Sequence, residues 1–380
     1  MKEFMKSKMC LRFSHFIVIA CVLIMSCLGC SKEENKGLNI GIIVPLTGGA
    51  ADFGMWAQNG VHIAVEELNE KRNRKIRVFF EDSRMNTNEG LSAFKKLVSV
   101  NKVSAVITSG SGVVLGIAPV ADADKILQLN HAAVSPKIRD AGDYTFTLVN
   151  DADIETDEMA SLVINKLGLK DMAVLYANTS YGVGTKDAVV RSFTQLGGKI
   201  VATESFEEDS ADFRSQLLKL RQARPQATYF VANIKDSGRL LKQAQELGFK
   251  TQWVSYNAFE SPEVINTAGQ AAEGVIYTSS NLFDTSLTSE RENSFYGKYL
   301  KKYGMAPNIY AATAYDAVYL IALAHENTDG SGEAMKNFLY KIKDYQGSSG
   351  LINFDATGSA RKPVFLKTVR DDKFVIYQQH

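Results

Sequence analysis

Cysteine is missing from most of this chain of 380 residues, because all four cysteines lie within the first thirty residues. The remainder therefore has no disulfide, no thiol nucleophile and no cysteine ligand for a metal. The five histidines are scattered, without the spacing that is typical of a metal site. We accordingly expect neither a bound metal nor a cofactor.

An excess of charge of one sign is also lacking. The formal net charge is +1, and neither half of the chain is strongly basic. Because a protein dedicated to nucleic acid carries a basic face, we expect no nucleic-acid partner. Proline is scarce, with seven residues, whereas glycine is frequent, with 28. This balance suits an α/β protein with many tight turns between strands and helices.

Motifs of phosphate binding and of covalent catalysis are missing as well. The chain has no Gly-x-x-x-x-Gly-Lys-Ser/Thr phosphate loop, and no Gly-x-Gly-x-x-Gly fingerprint follows the first predicted strand. Residues 109–112 depart from the Gly-x-Ser-x-Gly nucleophile elbow, since serine stands where the first glycine is needed. Acidic clusters such as Glu207-Glu208-Asp209 are expected to be solvated faces. We therefore expect a binding protein rather than an enzyme.

The N-terminal residues do not belong to the predicted fold. Four basic residues precede an almost unbroken apolar run over residues 16–28. This run is shorter than the roughly 20 apolar residues of a membrane-spanning helix. The pattern predicts a signal peptide over residues 1–29.

The end of the apolar run resembles a bacterial lipobox. It reads Cys-Leu-Gly-Cys over residues 27–30 and is followed at once by polar residues. By that resemblance Cys30 receives a lipid anchor, and residues 30–37 form a tether to the membrane. A cut before Cys21 is an alternative, although it would leave apolar residues at the new terminus. The pattern is also compatible with an uncleaved anchor or with a soluble secreted protein.

Short apolar runs alternate with longer amphipathic runs after residue 38. Strands that alternate with helices of this length indicate parallel sheets with helices on both faces. The chain passes through this plan twice, so the sequence predicts an α/β fold with two lobes and a ligand cleft between them. Predicted strands cover 39–45, 76–81, 103–108, 126–130, 144–149, 172–176, 227–231, 251–255 and 274–278, and 350–377 is rich in strand. Predicted helices cover 58–70, 89–100, 157–167, 186–196, 213–221, 237–247, 290–303 and 311–325.

Several motifs carry a resemblance to a known family. Residues 43–48 read Ile-Val-Pro-Leu-Thr-Gly, and Phe53-Gly54 and residues 64–69 follow them. This stretch resembles the opening of the type I periplasmic solute-binding proteins, the Leu/Ile/Val-binding protein family. Residues 73–75 depart from the family, which has a glycine-rich turn there. Further matches follow in order, so that the resemblance covers residues 38–377: 81–83, 181–184, 241–248, 272–275 and 347–355.

The resemblance implies two Rossmann-like lobes with parallel sheets, joined by a hinge of three crossing strands. It places residues 38–152 and 283–345 in an N-terminal lobe, and residues 153–282 and 346–380 in a C-terminal lobe. We expect the crossings near residues 150–153, 281–284 and 344–348.

The same resemblance implies the extracytoplasmic substrate-binding lipoprotein of an ABC importer. Its lobes would close on an amino acid or a related small carboxylate or amide, and deliver this solute to a permease in the membrane. A solute sensor that signals to a membrane partner is one alternative, and a secreted enzyme on the same scaffold is another.

Contacts for a ligand carboxylate also follow from the resemblance. Ser111 matches the family's carboxylate site, at the start of an expected helix whose free N–H groups, beginning with Gly112, would favour an anion. A simple N-cap is the alternative role for Ser111. Ala132 matches a position that contributes backbone groups. Val134 stands where the family has a second hydroxyl.

The ammonium contacts are less well matched. Asp151 and Asp153 straddle the position of an acid in the family, and the sequence leaves the choice between them open. Asn257 stands where the family has a second acid. These departures disfavour a standard branched-chain amino acid as the ligand. Phe53 and Tyr181 match aromatic positions that line the cleft, with lobe packing as their alternative role. Asn233 stands where the family has an aromatic residue, and it completes the predicted contacts.

Overall fold

The computed structural model describes residues 37–71, 75–280 and 289–378. The predicted signal peptide, Cys30 and the predicted crossing at 281–284 lie outside these residues. Among the described helices, none has both the length and the apolar character needed to cross a membrane.

The first sheet has five parallel strands in the order β2-β1-β3-β4-β5. Its inner strands are buried almost throughout, because helices cover both faces of the sheet. The strands are β1 (Asn39–Val44), β2 (Arg77–Asp82), β3 (Ala105–Thr108), β4 (Leu127–Asn130) and β5 (Thr145–Thr147). The helices between them are α1 (Ala51–Lys71), α2 (Thr87–Ser99) and α3 (Ser111–Asp124).

The second sheet has seven strands in the order β14-β13-β10-β9-β8-β6-β7. Strands β6 to β10 are parallel, as predicted, whereas β13 and β14 are antiparallel at one edge. The strands are β6 (Asp171–Ala177), β7 (Lys199–Phe206), β8 (Ala227–Val231), β9 (Gln252–Ser255), β10 (Ile276–Ser279), β13 (Phe365–Arg370) and β14 (Lys373–Ile376). A separate hairpin pairs β11 (Tyr345–Gly347) with β12 (Gly350–Ile352).

The described residues form eight more α-helices, together with short 3-10 helices at Pro136–Asp140, Asn257–Phe259 and Gly269–Ala272. A π-helical turn, Leu162–Lys166, extends the first of them. They are α4 (Ala152–Ser161), α5 (Ser180–Gln195), α6 (Arg214–Gln222), α7 (Ile234–Glu246), α8 (Pro262–Ala268), α9 (Glu290–Tyr303), α10 (Ile309–Glu326) and α11 (Gly332–Leu339).

Two helices begin six or seven residues earlier than the sequence pattern predicts. Helix α1 begins at Ala51 and helix α5 begins at Ser180. Their first turns contain glycine, which lowers helix propensity and hides the pattern. A Cβ atom on Gly54 would lie 1.7 Å from the carbonyl oxygen of Pro45, and one on Gly182 would lie 1.9 Å from that of Ala177. Glycine therefore lets each helix start directly against the loop or strand end that precedes it.

Helix α10 lies far along the chain but packs on α1, beside the first sheet. Fourteen of its 18 residues are buried, which marks it as a central helix. The two helices approach closely at Gly60, where a Cβ atom would lie 2.1 Å from the carbonyl oxygen of Ala311. This packing supports the prediction that the chain returns to the first lobe. The exact lobe boundaries stay a prediction.

Buried polar groups link the segments that run between the sheets. Asn150, after β5, exchanges two hydrogen bonds with the backbone of Lys362, at 2.8 and 3.0 Å. The Asp316 carboxylate accepts from the backbone N–H groups of Ser348 and Ser349, both at 2.7 Å. Lys362 Nζ donates to Ser349 O at 2.7 Å, which joins the Asn150–Lys362 and Asp316–Ser349 contacts into one network.

The C-terminal segment also borders the first sheet. Thr147 in β5 donates its N–H to Gly358 O at 2.9 Å, and its carbonyl oxygen accepts from Ala360 N at 2.8 Å. The sequence assigns residues 346–380 to the C-terminal lobe, but this part of the segment runs alongside the first sheet.

Candidate functional site

A cavity of about 380 Å³ lies between the two sheets. Nearly all of its lining residues follow the carboxyl ends of strands in one sheet or the other, which is where open α/β sheets bind ligands. Its volume suits a small solute. The lining residues are Ala50, Phe53, Met85, Asn86, Thr87, Gly110, Ser111, Gly112, Ala132, Ala133, Val134, Asn178, Thr179, Ser180, Tyr181, Glu208, Asn233, Tyr256, Ala258 and Tyr310.

Several helices begin at this cavity, and α3 differs from its neighbours. Helices α2, α5 and α7 are capped by the side chains of Asn86, Thr179 and Asn233. The N-cap of α3 is Gly110, with φ of 86°, and no described side chain caps this helix. Its first N–H groups are therefore available to an anion in the cavity.

Ser111 is the first residue of α3 and is buried, with 3% of its surface exposed. Its Oγ accepts a hydrogen bond from Ser135 N at 3.3 Å, and Gly110 rather than Ser111 occupies the N-cap position. A Cβ atom on the neighbouring Gly112 would lie 2.8 Å from Thr87 Oγ1 and 3.3 Å from Ser180 Oγ. The absence of a side chain at Gly112 thus leaves the start of α3 accessible where loops from both sheets meet.

Four aromatic side chains form much of the cavity wall: Phe53, Tyr181, Tyr256 and Tyr310. Phe53 and Tyr310 meet edge to face with ring centroids 4.8 Å apart, and the centroids of Tyr181 and Tyr256 are 6.0 Å apart. The sequence predicts Phe53 and Tyr181 as contacts but not the other two. Tyr310 in particular comes from the late helix α10, which only the folded chain brings to this place.

Three further predicted residues lie in or next to the cavity. Ala132 lines it, and its N–H donates to Asn130 Oδ1 at 3.1 Å. Asn233 also lines it, but its Oδ1 caps α7 by accepting from Asp236 N at 2.8 Å. Asn257 does not line the cavity, but its Oδ1 accepts from the hydroxyl of the lining residue Tyr310 at 3.1 Å.

The two predicted ammonium contacts, Asp151 and Asp153, do not line the cavity. Arg139 Nε donates to Asp151 Oδ2 at 2.9 Å, and Arg139 Nη2 donates to Asp153 Oδ2 at 3.0 Å. Asp151 Oδ1 also caps α4, and Arg191 pairs with Asp153. Both carboxylates are thus neutralised locally, since the start of α4 turns them towards arginine.

Glu208 lines the cavity and is solvent-exposed, as the sequence expects of its acidic cluster. It is the sole charged residue among the described lining residues. Partial desolvation, and then the negative charges of Asp236, Asp209 and Glu207, raise the pKa of Glu208 above its ordinary value. Its place after β7 is hidden in the sequence because β7 is a half-exposed edge strand with a weak apolar pattern. The described residues contain no group of His, Cys, Asp and Glu that could hold a metal ion.

A family model described as periplasmic binding protein matches residues 37–373. This chain belongs to the periplasmic binding protein family. The resemblance predicted from the motifs is therefore confirmed, and so is the α/β fold of that family.

Known relatives cover most of this periplasmic binding protein. Leu/Ile/Val-binding protein homolog 1 of Brucella abortus is 24% identical over 332 residues, which are 86% of this chain and 88% of that protein. A leucine binding protein from Thermotoga maritima has a TM-score of 0.83 at 26% identity and covers 90% of this chain and 98% of its own. The branched-chain amino acid transporter substrate binding protein of Streptococcus pneumoniae, solved with isoleucine, has a TM-score of 0.82 at 26% identity. It covers 89% of this chain and 98% of its own. These relatives are named as binding proteins, not as enzymes.

Proposed function

We propose that this protein is the extracytoplasmic receptor of an ABC importer and that it binds an amino acid or a related small carboxylate or amide. The observation that carries this proposal is the cavity between the two sheets, into which the start of α3 opens without a capping side chain. The family membership supports a solute-binding role.

The carboxylate of the ligand is expected at the start of α3. There the Ser111 hydroxyl and the N–H groups beginning at Gly112 supply hydrogen bonds, and the helix dipole adds a partial positive charge. Among the described lining residues there is no lysine or arginine, so an anion would depend on these groups.

Ligand binding is expected to favour a closed arrangement of the lobes. Residues from both sheets line the cavity, so a ligand contacts both only when the sheets are close together. A ligand that makes more contacts in the closed state shifts the population towards it. The buried network of Asn150, Asp316, Ser349 and Lys362 is where we place the hinge.

The membrane attachment is proposed from the sequence. Cys30 lies outside the described residues, and its lipobox-like surroundings support lipidation after removal of residues 1–29. Metabolic labelling with a radioactive fatty acid should mark the protein, and Cys30→Ala should abolish the label. Cys21→Ala is the matched control and should leave labelling intact. Labelling that survives Cys30→Ala and disappears in Cys21→Ala would contradict the assignment.

The binding function is tested by a thermal-shift screen of the processed protein against amino acids, small carboxylates and amides. A ligand present at 100 times its Kd adds about 2.7 kcal/mol to the free energy of unfolding and raises Tm. Small-angle scattering at saturation should then show a smaller radius of gyration than without ligand.

An unchanged radius would count against closure, and chemical conversion of the ligand would favour the enzyme alternative. Loss of ligand uptake in cells that lack the protein supports import. Uptake that persists while a transcriptional response to the ligand is lost would instead indicate a sensor.

A further inference from the structure

Glu155 is a buried acid that does not line the ligand cavity. It lies in the first turn of α4, just after the predicted crossing at residues 150–153, and 1% of its surface is exposed. Its Oε1 accepts a hydrogen bond from Asn150 Nδ2 at 3.2 Å, while its Oε2 has no hydrogen-bond partner among the described atoms. An ionised carboxylate is costly in such a place, so the protonation of Glu155 depends on how closely the surrounding segments enclose it.

The bond to Asn150 joins Glu155 to the proposed hinge. Asn150 Nδ2 also donates to Lys362 O at 3.0 Å, and Asn150 Oδ1 accepts from Lys362 N at 2.8 Å. One buried amide therefore connects the start of α4 with the C-terminal segment. Burial raises the pKa of Glu155, and the hydroxyl of Thr278 in β10, shortly before the predicted crossing at 281–284, opposes this rise. Glu155 thus lies where segments that lead into the hinge meet.

The aromatic wall of the cavity encloses Glu155 from another side. Burial is the main cause that raises the pKa of Tyr256 and of Tyr310, and the charge of Glu155 adds to it, so both rings are close to this carboxyl. Tyr310 Oη donates to Asn257 Oδ1 at 3.1 Å, which joins α10, packed on α1, to the loop after β9. Separation of the two sheets would break this bond, move Tyr310 away and admit water to Glu155.

The titratable groups that face Glu155 do not stabilise its ionised form. After burial, the negative charges of Asp151 and Glu158 on the same helix raise its pKa further. Tyr229 in β8 and the two tyrosines of the cavity wall are neutral at pH 7, because burial raises their pKa. Ionisation of Glu155 therefore adds a negative charge to an enclosure that already disfavours it.

The basic groups of the neighbouring segments are directed elsewhere. Lys362 contacts Asn150 through its backbone, whereas its Nζ donates to the carbonyl oxygen and the Oγ of Ser349, at 2.7 and 2.9 Å. Arg139 pairs with Asp151, and with Asp153 at 3.0 Å. Hydration is then the remaining way to stabilise an ionised Glu155, and it requires that the enclosure opens.

We propose that Glu155 is a positioning residue of the hinge, which favours the closed arrangement of the two sheets when it is protonated and their separation when it is ionised. This inference rests on the proposed closure of the lobes, but it does not depend on which ligand they bind. Separation hydrates the carboxyl, and hydration favours the ionised form. By linkage, the ionised form in turn favours separation.

Acid should therefore favour closure, and a rise in pH should favour separation. In the arrangement described here the pKa of Glu155 is raised by burial from its ordinary value of 4.5 to about 7. If separation restored the ordinary value, the ratio of closed to open molecules would fall by about 300-fold as the pH rises through this window. Partial restoration gives a smaller change, and we expect at least a fivefold fall between pH 5 and 8.

The test measures the distance across the cavity in the processed chain without ligand. Asn88→Cys at the start of α2 and Ala211→Cys after β7 place two dyes at exposed positions, one beside each sheet. The described residues contain no cysteine, and Cys30→Ala removes the one that the predicted processing leaves, so that only the introduced cysteines react. Single-molecule energy transfer at pH 5, 6, 7 and 8 then gives the ratio of closed to open molecules.

Glu155→Gln keeps the shape of the protonated side chain but does not titrate, and its Oε1 can still accept from Asn150. We expect this ratio to change less than twofold between pH 5 and 8. Glu158→Gln is the matched control, because it removes the same charge from an exposed position of α4 and only the weakest of the causes that raise the pKa of Glu155. Its ratio should stay within about twofold of the unsubstituted protein at each pH. Thr278→Val removes the hydroxyl that opposes the rise in pKa, so it should move the midpoint of the change to higher pH.

A ratio that stays within twofold between pH 5 and 8 in the unsubstituted protein would overturn the inference, as would an equal pH dependence in Glu155→Gln. Circular dichroism establishes first that each variant is folded. If Glu155→Gln is unfolded, Thr278→Val decides, because a midpoint that stays in place or moves to lower pH contradicts the role of this carboxyl. None of these results bears on solute binding, which the thermal-shift screen tests separately.

Discussion

Replacement of Ser111 by alanine separates ligand binding from stability at the start of α3. Its Oγ accepts one hydrogen bond, from Ser135 N at 3.3 Å, and the side chain lines the cavity. Ser111 does not occupy the N-cap position of α3, so Ser111→Ala removes no helix cap. The change deletes one oxygen atom and leaves the backbone N–H groups that begin at Gly112 in place.

The expected effects on affinity and stability differ in size. If the ligand carboxylate accepts from the Ser111 hydroxyl, the loss of this bond costs about 1.5–3 kcal/mol, or roughly 10- to 150-fold in Kd. In the ligand-free protein the same change removes only a long bond to one backbone N–H. A neutral bond of this kind contributes about 0.5–1.5 kcal/mol, so we expect the smaller part of that range in the free energy of unfolding.

Ser109→Ala is the matched control. Ser109 is 1% exposed, its Oγ has no hydrogen-bond partner among the described atoms, and it does not line the cavity. Calorimetric titration and urea unfolding of both variants should show a large change in Kd for Ser111→Ala alone. The same titrations with the carboxamide of an amino acid ligand provide a second test. Because the carboxamide lacks the negative charge, Ser111→Ala should change its Kd less. A Kd within twofold of the unsubstituted value would refute the placement of a carboxylate at this helix.

Two other predictions concern stability. Gly60→Ala should lower the free energy of unfolding in urea by about 1–3 kcal/mol, because its Cβ would overlap the Ala311 carbonyl. Gly297→Ala is the control, since a Cβ there would have no atom within 4 Å; it should leave the free energy of unfolding unchanged or raise it by up to about 1 kcal/mol. Burial raises the pKa of Glu155, which is 1% exposed, to about 7. The native state therefore binds more protons than the unfolded state between about pH 4.5 and 7, and its stability falls as the pH rises through this window. Glu155→Gln should remove a pH-dependent loss on the order of 3 kcal/mol. Glu158→Gln, exposed on the same helix, removes only the weakest of the charges that raise the pKa of Glu155 and should change the slope much less; equal slopes in all three proteins would contradict the assignment.

The periodicity of the chain predicts most of the core elements, and the exceptions have physical reasons. It does not reveal strand β7, whose residues are mostly half-buried or exposed at the edge of the second sheet, where the apolar pattern is weak. Helices α8 and α11 have seven and eight residues, too few to show a helical period. The antiparallel pairing of β13 and β14 depends on contacts between strands, which periodicity within one strand does not encode.

The candidate site is most predictable where a residue follows its strand closely. Ser111, Gly112, Ala132 and Tyr181 follow strand ends, and the structure brings them to one cavity. Asp151 also follows a strand, but Arg139 pairs with it away from the cavity. A charge partner twelve residues away cannot be recognised from the order of residues alone.

The sequence by itself determined the class of fold and the family, because these depend on alternating apolar patterns and on short motifs whose spacing is preserved along the chain. Only the tertiary structure decided the composition of the cavity. Tyr310 reaches the wall because α10 returns to pack on α1, and Glu208 lines it from the loop that follows the edge strand β7. Such contacts depend on how whole helices and strands pack against each other, and the local sequence does not encode which distant segment will pack there.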